Sequence, residues 1–325
     1  MLKVGIIGCA GHYGLALESA DKYRSCDIAA VSAPSDGTDD ASLRIVAARR
    51  NIPFYEDWRE MLEKERLDIV EVDNRYDRHA AVSAECLEKG CGVYCEKPLA
   101  TTLDDLEKLR TAWENSRQAL GGMFNLRYSG WFLGVKQAIE TGEIGRIRLI
   151  HGQKSYKFGT RPEFYKHRDQ YGGMIPWVGI HALDWCLVLG GRCRSVSALQ
   201  SAKDNHGHGE IEMSAVIQME LDDEVFATVS ADYYRPAGGA RHDDDRIRVT
   251  GTQGMIEVID GVAWLENDKP RRAISLPEPG DAFGEFARAV MAGKVDSFAR
   301  DALESTRIAL LAREAGDRKC TLRAD

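Results

Sequence analysis

The feature that most constrains this chain is the rhythm of its first third, where short apolar runs alternate with amphipathic segments. Residues 3–7 read as a strand, followed by a glycine loop and a helix through about Tyr23. Residues 27–32 (DIAAVS) form a second strand, and helical patterns cover 41–50 and 58–65, the latter with a charged outer face. A strand over 67–72 (LDIVEV), a helix over 78–89, a strand over 92–95 (GVYC) and a helix over 103–115 continue the alternation. Apolar strands separated by helices are satisfied by a parallel sheet covered on both faces.

The remainder reads differently. Residues 130–140 are helical, 146–156 strand-like and 180–189 an apolar helix. Strand-like runs then follow one another at 195–200, 211–221, 225–233, 246–251 and 255–259, which predicts an antiparallel or mixed sheet. Helices over 282–292 and 299–315 close the chain. At 325 residues, two domains are the natural expectation, an α/β domain over 1–123 and an α+β domain over 124–325. The formal charge of −8 excludes a broad phosphate-binding face, so no nucleic-acid partner is expected. No apolar run of membrane-spanning length stands out, and no membrane association is expected. The eight cysteines include no CxxC pair and sit mostly in apolar runs, which predicts reduced thiols in a cytoplasmic protein and no metal site.

Gly8, Gly11 and Gly14 follow the first strand and open the first helix, in the string GCAGHYG. Glycines there let backbone approach a pyrophosphate, and the helix N-terminus offers unpaired N–H groups and a positive dipole end. The spacing is one residue longer in its first gap than the commoner fingerprint, but its context, a strand before and a helix after, is that of a dinucleotide site. His12 and Tyr13 lie inside the loop. The second strand runs into VSAPSD at 31–36. No acid ends the strand, which removes repulsion against a 2′-phosphate, and no nearby Arg or Lys supports one. Ser32 and Ser35 are placed to meet either ribose or phosphate. NAD and NADP both stay open, with a slight lean to NADP.

The strand over 92–95 ends in Glu96-Lys97-Pro98. Ligands of open α/β sheets bind at the carboxyl ends of strands, so Lys97 is aimed at the cofactor crevice or forms a surface pair with Glu96. Further on, His181 opens the apolar helix with Asp184 three residues on, one face of a helical turn. Asp184 either orients the imidazole or pairs elsewhere, and His181 is either an acid/base group or a core residue. Tyr165 to Asp169 form a polar cluster that is a substrate rim or a solvated loop. His206, His208 and His242 lack the spacing of a known metal-ligand set.

The chain resembles the glucose–fructose oxidoreductase, inositol dehydrogenase and rhizopine-catabolism family. The resemblance rests on the glycine loop, the EKP segment, FNLRY at 124–128, TGEIG at 141–145, GGMIPWVGIHALD at 172–184, GTQG at 251–254 and the helix around 309–316, in order along nearly the whole chain. It implies an N-terminal Rossmann domain, a C-terminal domain with an open, mostly antiparallel sheet, and nicotinamide and substrate meeting in the cleft between them. It implies Lys97 as catalytic lysine and His181 as its acid/base partner. It also implies homodimers or homotetramers formed through the outer face of the second sheet. Two departures stand out. Family dehydrogenases often carry Asp four residues before the histidine, where this chain has Trp177. The loop DNRYDRH at 73–79 replaces a Thr-Pro type loop, keeping only His79 and putting Asn74 and Arg75 toward the cofactor.

The expected activity is hydride transfer between NAD(P) and a secondary alcohol or carbonyl of a sugar, polyol or sugar acid. Lys97 would polarise the reacting oxygen and His181 would handle the proton. The cofactor site would comprise Gly8, Gly11, His12, Tyr13, Gly14, Ser32, Asn74, Arg75, His79, Glu96, Lys97, Pro98 and Asn125. The carbohydrate-like substrate would meet Lys97, Arg127, Tyr165, Arg168, Trp177, His181 and Asp184. Two other readings stay open: an internal-redox lyase or glycosidase with tightly held cofactor, and a non-catalytic NAD(P) or sugar sensor.

Overall fold

The structure, a computed structural model, describes residues 1–294 and 296–324, the side chain of Ser297 excepted. It divides into two compact units. The first comprises Met1–Asn125, Asp169–Gly172 and Asp281–Thr306; the second comprises Leu126–Arg168, Gly173–Gly280 and the chain from Arg307 on.

The first unit contains β1 (Leu2–Ile7), α1 (Gly14–Glu18) prolonged by a wide turn over Ser19–Tyr23, β2 (Cys26–Ser32), α2 (Ala41–Arg50), β3 (Phe54–Tyr55) and α3 (Trp58–Lys64). It continues through β4 (Ile69–Val72), α4 (His79–Glu88), β5 (Gly92–Cys95), α5 (Leu103–Ser116) and β6 (Leu120–Gly122). The strands pair in parallel in the order β3-β2-β1-β4-β5-β6. The two edge strands are three residues or shorter, too brief for a period-2 pattern to register in the sequence. Ile7 pairs with Val72, and Val72 with Cys95. One residue beyond those ends, Gly8, Asp73 and Glu96 therefore come level at the carboxyl edge of the sheet. This is the register that builds the site.

The second unit holds α6 (Gly130–Glu140), β7 (Ile147–Tyr156) and α8 (Ile180–Gly190), with the short α7 (Arg168–Tyr171) lying between them in sequence. There follow β8 (Cys193–Ser201), β9 (Ser214–Leu221), β10 (Phe226–Asp232), β11 (Asp243–Gly251), β12 (Met255–Ile259), β13 (Val262–Glu266), β14 (Arg272–Ala273) and, near the end of the chain, β15 (Thr321–Arg323). Their order is β14-β13-β12-β11-β7-β10-β9-β8-β15, antiparallel except for β7 with β10. Along β7, Ile150, Gly152 and Lys154 alternate inward while Leu149 and His151 face out. Gly152 lets α8 approach closely, since a Cβ there would sit 3.1 Å from the Ala182 methyl.

Two helices remain, α9 (Ala282–Met291) and α10 (Asp296–Arg318). The sequence reading gives everything beyond residue 123 to one domain, but residues 281–306 return to the first unit. Phe283 packs edge-on to Tyr94 with centroids 5.3 Å apart, Phe286 lies 5.1 Å from the same ring, and both join Val4, Ile6 and Met123 in the core. Each buried ring contributes about 2 kcal/mol. Asp281 caps α9 by accepting from Gly284 N, and its other oxygen accepts from Ser19 and Ser25. Helical periodicity shows that a face is buried, not against which sheet. A helical run over Arg168–Gly190 also proves long and apolar enough for a membrane span, contrary to the sequence reading, and most of it is buried inside the protein. All eight cysteines are free thiols.

Candidate active site

The site is built first from the glycine loop. Gly8 has φ +77°, a conformation that disfavours side chains, and a Cβ there would stand 2.6 Å from the Asp73 carbonyl oxygen. A Cβ on Gly11 would collide with the Glu96 carboxylate. At Gly14 nothing lies within 4 Å, and α1 has no side-chain cap at its start. The first amides of a helix have no intrahelical acceptor. Room and donors therefore coincide at Tyr13 and Gly14, which is what a pyrophosphate requires; the residues present fit a dinucleotide.

Behind the loop lie three fully buried acids. The Asp73 side chain accepts from Gly11 N and its backbone carbonyl accepts from Ala10 N, while Glu71 accepts from Ala16 N at 3.2 Å. Glu96 Oε2 accepts from His12 N at 2.7 Å and lies 2.5 Å from His12 Nδ1. Its Oε1 accepts from Lys97 N at 2.8 Å and stands 3.9 Å from Lys97 Nζ. Burial and the charge on Glu96 push the Asp73 carboxyl well above its ordinary value, and burial with Asp73 does the same to Glu71. Burial opposes ionisation of Glu96 too, but His12 and Lys97 overcome it and hold this acid down at about 2. The charge of the cluster thus resides on Glu96, between the loop and the lysine. Sequence reasoning missed Glu71 and Asp73. The signal was available in IVEVD at 69–73, where acids interrupt a strand that must be buried on both faces.

Lys97 is 1% exposed at the carboxyl end of β5, followed by a cis peptide bond to Pro98. The other residues expected at the cofactor are placed less directly. Ser32 is buried, its hydroxyl 3.1 Å from the carbonyls of Ala33 and Tyr55. Asn74 donates to Pro34 O at 2.7 Å and keeps a buried, unpartnered Oδ1. Arg75, expected to reach a phosphate, is instead gripped by Asp77 through Nε and Nη2 at 2.7 and 3.0 Å. His79 is buried with Nδ1 2.7 Å from Pro98 O and Nε2 2.9 Å from Asn74 O, so it braces the turn carrying Lys97. Burial pushes its imidazole below the usual histidine value. Asn125 is half-buried at the start of a short 3-10 turn.

In the second unit, His181 is 2% exposed at the start of α8, and Trp177 lies one turn earlier in the wide turn Ile175–Gly179. Asp184, expected at the substrate, is buried and paired. Arg127 holds it by a two-pronged pair, Nε to Oδ2 at 2.7 Å and Nη2 to Oδ1 at 2.5 Å, so these two expected substrate residues grip each other. Arg168, also expected at the substrate rim, pairs with Glu212 at 2.8 Å and Asp317 at 2.9 Å. A cationic group on a loop finds internal acids that the linear sequence places more than 40 residues away. Tyr165 remains beside the histidine segment, edge-on to Trp177 with centroids 6.2 Å apart. His206 and His208 pack on Phe158, and His242 on Tyr156. Among the described residues no three His, Cys, Asp or Glu are grouped to hold a metal.

This arrangement has relatives. Residues 2–121 match the profile of an oxidoreductase family with an NAD-binding Rossmann fold, and residues 132–257 match the GFO/IDH/MocA C-terminal domain. A solved structure of a Thermotoga maritima protein assigned as an oxidoreductase superimposes with a TM-score of 0.94 at 40% identity, over 99% of this chain and 100% of that one. Levoglucosan dehydrogenase in complex with NADH shares the fold, with a TM-score of 0.84 at 19% identity over 100% and 99% of the two chains. The inositol 2-dehydrogenase of Salmonella typhimurium is 28% identical over 134 residues, 41% of this chain and 39% of that protein. The chain spans less than half the length of the first curated relatives it matches, 43% and 39%. By sequence profile and by fold, the chain belongs to the GFO/IDH/MocA family of oxidoreductases with an NAD-binding Rossmann domain.

Proposed function

We propose that the protein is an NAD(H)-dependent dehydrogenase or reductase acting on a CH–OH group of a sugar, polyol or sugar acid. The observation that carries this reading is Lys97, buried at the carboxyl end of β5 and linked through Glu96 to the glycine loop. Bound nicotinamide would supply the hydride chemistry. The loop amides hold the pyrophosphate, the ammonium of Lys97 stabilises the reacting oxygen, and His181 takes or returns the hydroxyl proton.

The surroundings of the β2 end favour NAD, reversing the lean to NADP. Asp36 lies four residues past Ser32 and accepts from Arg75 N at 2.7 Å and Thr38 N at 2.9 Å. Two cations of this region are neutralised: Arg44 pairs with Asp40 and Glu56, and Arg75 with Asp77. A 2′-phosphate would meet uncompensated negative charge there.

We further infer a homo-oligomer joined through the outer face of the second sheet, where Leu149, Leu199, Val216 and Phe226 are exposed, and a reducing, cytoplasmic setting for the free thiols.

The test is a screen of sugars, polyols and sugar acids for nicotinamide reduction with each cofactor. Turnover with NAD, preferred over NADP by about tenfold or more, is expected from the charge argument. The second reading, a sensor or an internal-redox enzyme, is favoured by one observation: Trp177, not a carboxylate, precedes His181 by one turn. Cofactor binding with no reduction of either nucleotide by any substrate would decide for it.

A further inference from the structure

The second unit holds a cation whose environment the preceding account leaves unused. Among the described residues, Arg161 has no carboxylate within ion-pairing distance, and its one hydrogen bond runs from Nη2 to Lys157 O at 2.9 Å. Its Nε is buried and makes no hydrogen bond. The guanidinium lies 4.5 Å from the Tyr233 ring centroid and 5.8 Å from that of Tyr165. Arginine stays charged at any accessible pH, so an unpaired, half-buried N–H on it carries a desolvation cost that an anion would remove. Elsewhere in the unit, Arg127, Arg168 and Arg235 all pair with acids. Among the described residues Lys157, whose ammonium donates to the Gly239 carbonyl, also meets no carboxylate, and neither do Arg148 and Arg248, but of these only Arg161 lies against two tyrosine rings.

The surroundings are aromatic. Tyr156 and Tyr233 lie on the inward face of β7 and just past β10, their rings 6.5 Å apart. The Tyr156 hydroxyl makes no hydrogen bond with any described residue, although burial pushes it well above the usual tyrosine value. Lys154, on the same face, lies 5.8 Å from the Trp185 ring, and Trp185 is four residues past His181 on α8. From the other side, Arg161 reaches Tyr165, and Tyr165 meets Trp177 one turn before His181. Both routes run from the cation to the proposed acid/base residue within one unit.

We propose that Arg161, flanked by the Tyr233 ring against which Tyr156 packs, forms an anion-accepting subsite for the carboxylate of the substrate, which makes the substrate a sugar acid rather than a neutral polyol. The assignment rests on the dehydrogenase reading and narrows it. A guanidinium with an open Nε presents the planar donor pair that a carboxylate matches, and the flanking rings suit the apolar face of a pyranose.

The experiment compares matched pairs, D-glucuronate with D-glucose and D-galacturonate with D-galactose, as substrates with NAD and as ligands by calorimetry. The wild type should favour the acid of a pair by about tenfold or more in kcat/KM, the worth of one charged hydrogen-bond pair. Arg161→Gln should collapse that ratio to within about twofold, and Arg161→Lys should restore part of it. Should Arg161→Gln fail to fold, the wild type still decides: KM for the acids rises with salt while KM for the neutral partners does not. Equal or better turnover of the neutral sugars, or an unchanged ratio in Arg161→Gln, overturns the subsite and leaves the dehydrogenase standing. Acid binding that Arg161→Gln abolishes, with no nicotinamide reduced, supports the subsite and overturns the dehydrogenase.

Discussion

At the carboxyl edge of the first sheet, Glu71, Asp73 and Glu96 are buried chiefly against backbone amides of the glycine-loop region. Around α8 in the second unit, Asp184, Glu212 and Asp245 each meet a side-chain cation: Arg127, Arg168 and Lys154. The difference separates two ways of holding a site. Carboxyls bound to amides shape a loop and leave its helix end able to take an anion. Carboxylates bound to side-chain cations fix a helix and its approach, and beside them Arg161, without an ion pair among the described residues, is conspicuous for its tyrosine surroundings.

The sharpest break of this contrast is at the Arg127–Asp184 pair. Removing one partner of a buried pair strands the other charge. Arg127→Met should therefore cost about 3 kcal/mol in denaturant unfolding, with part regained in the Arg127→Met, Asp184→Leu double variant. A loss under about 0.5 kcal/mol would place the pair among ordinary surface bridges and erase the contrast.

In the first unit the expected cost is smaller and falls on the cofactor. Glu96→Gln keeps the shape but not the charge that faces His12 and Lys97. NADH should bind about tenfold more weakly, as one charge-assisted hydrogen bond is lost, measurable by nicotinamide fluorescence. Unchanged binding would mean that the loop is held by Asp73 and Glu71 alone.

The smallest effect sharpens the sign of the buried charges. Asp73 holds its proton in the folded state above the ordinary aspartate value. Native protein then binds more protons than unfolded, and stability falls as pH rises from that ordinary value toward the raised one. Glu96 acts oppositely: its contribution is full above the ordinary glutamate value and is lost as pH falls through about 2. Asp73→Asn, which can still accept from Gly11 N, should flatten the loss and lie about 1 kcal/mol above the wild type at neutral pH. Parallel stability curves from pH 4 to 8 would show Asp73 ionised in the fold.

The sequence carried the architecture where periodicity and length were strong. The alternation over the first 120 residues sets out four of the six parallel strands, and the run of later strands points to a mostly antiparallel sheet. It could not assign α9, because an amphipathic helix advertises a buried face and not its partner. The glycine loop was legible for the opposite reason: Gly8 and Gly11 are dictated by close backbone and carboxylate neighbours that lie just across the sheet edge. Side-chain partnerships across long sequence gaps were not legible. Arg127 with Asp184 and Arg168 with Glu212 are internal ion pairs between residues 57 and 44 positions apart, at positions where the sequence reading expected ligand contacts. Arg161, unremarkable in the sequence, stands out only when its missing partner is visible.

The central claim is that Lys97 acts on the reacting oxygen while the loop holds the nucleotide. Lys97→Met tests it in one preparation by measuring both kcat with NAD and the Kd for NADH. A fall in kcat of about 100- to 10,000-fold, with Kd within about threefold of the wild type, is the predicted result. Retained turnover, or a Kd that weakens in step with kcat, would contradict it.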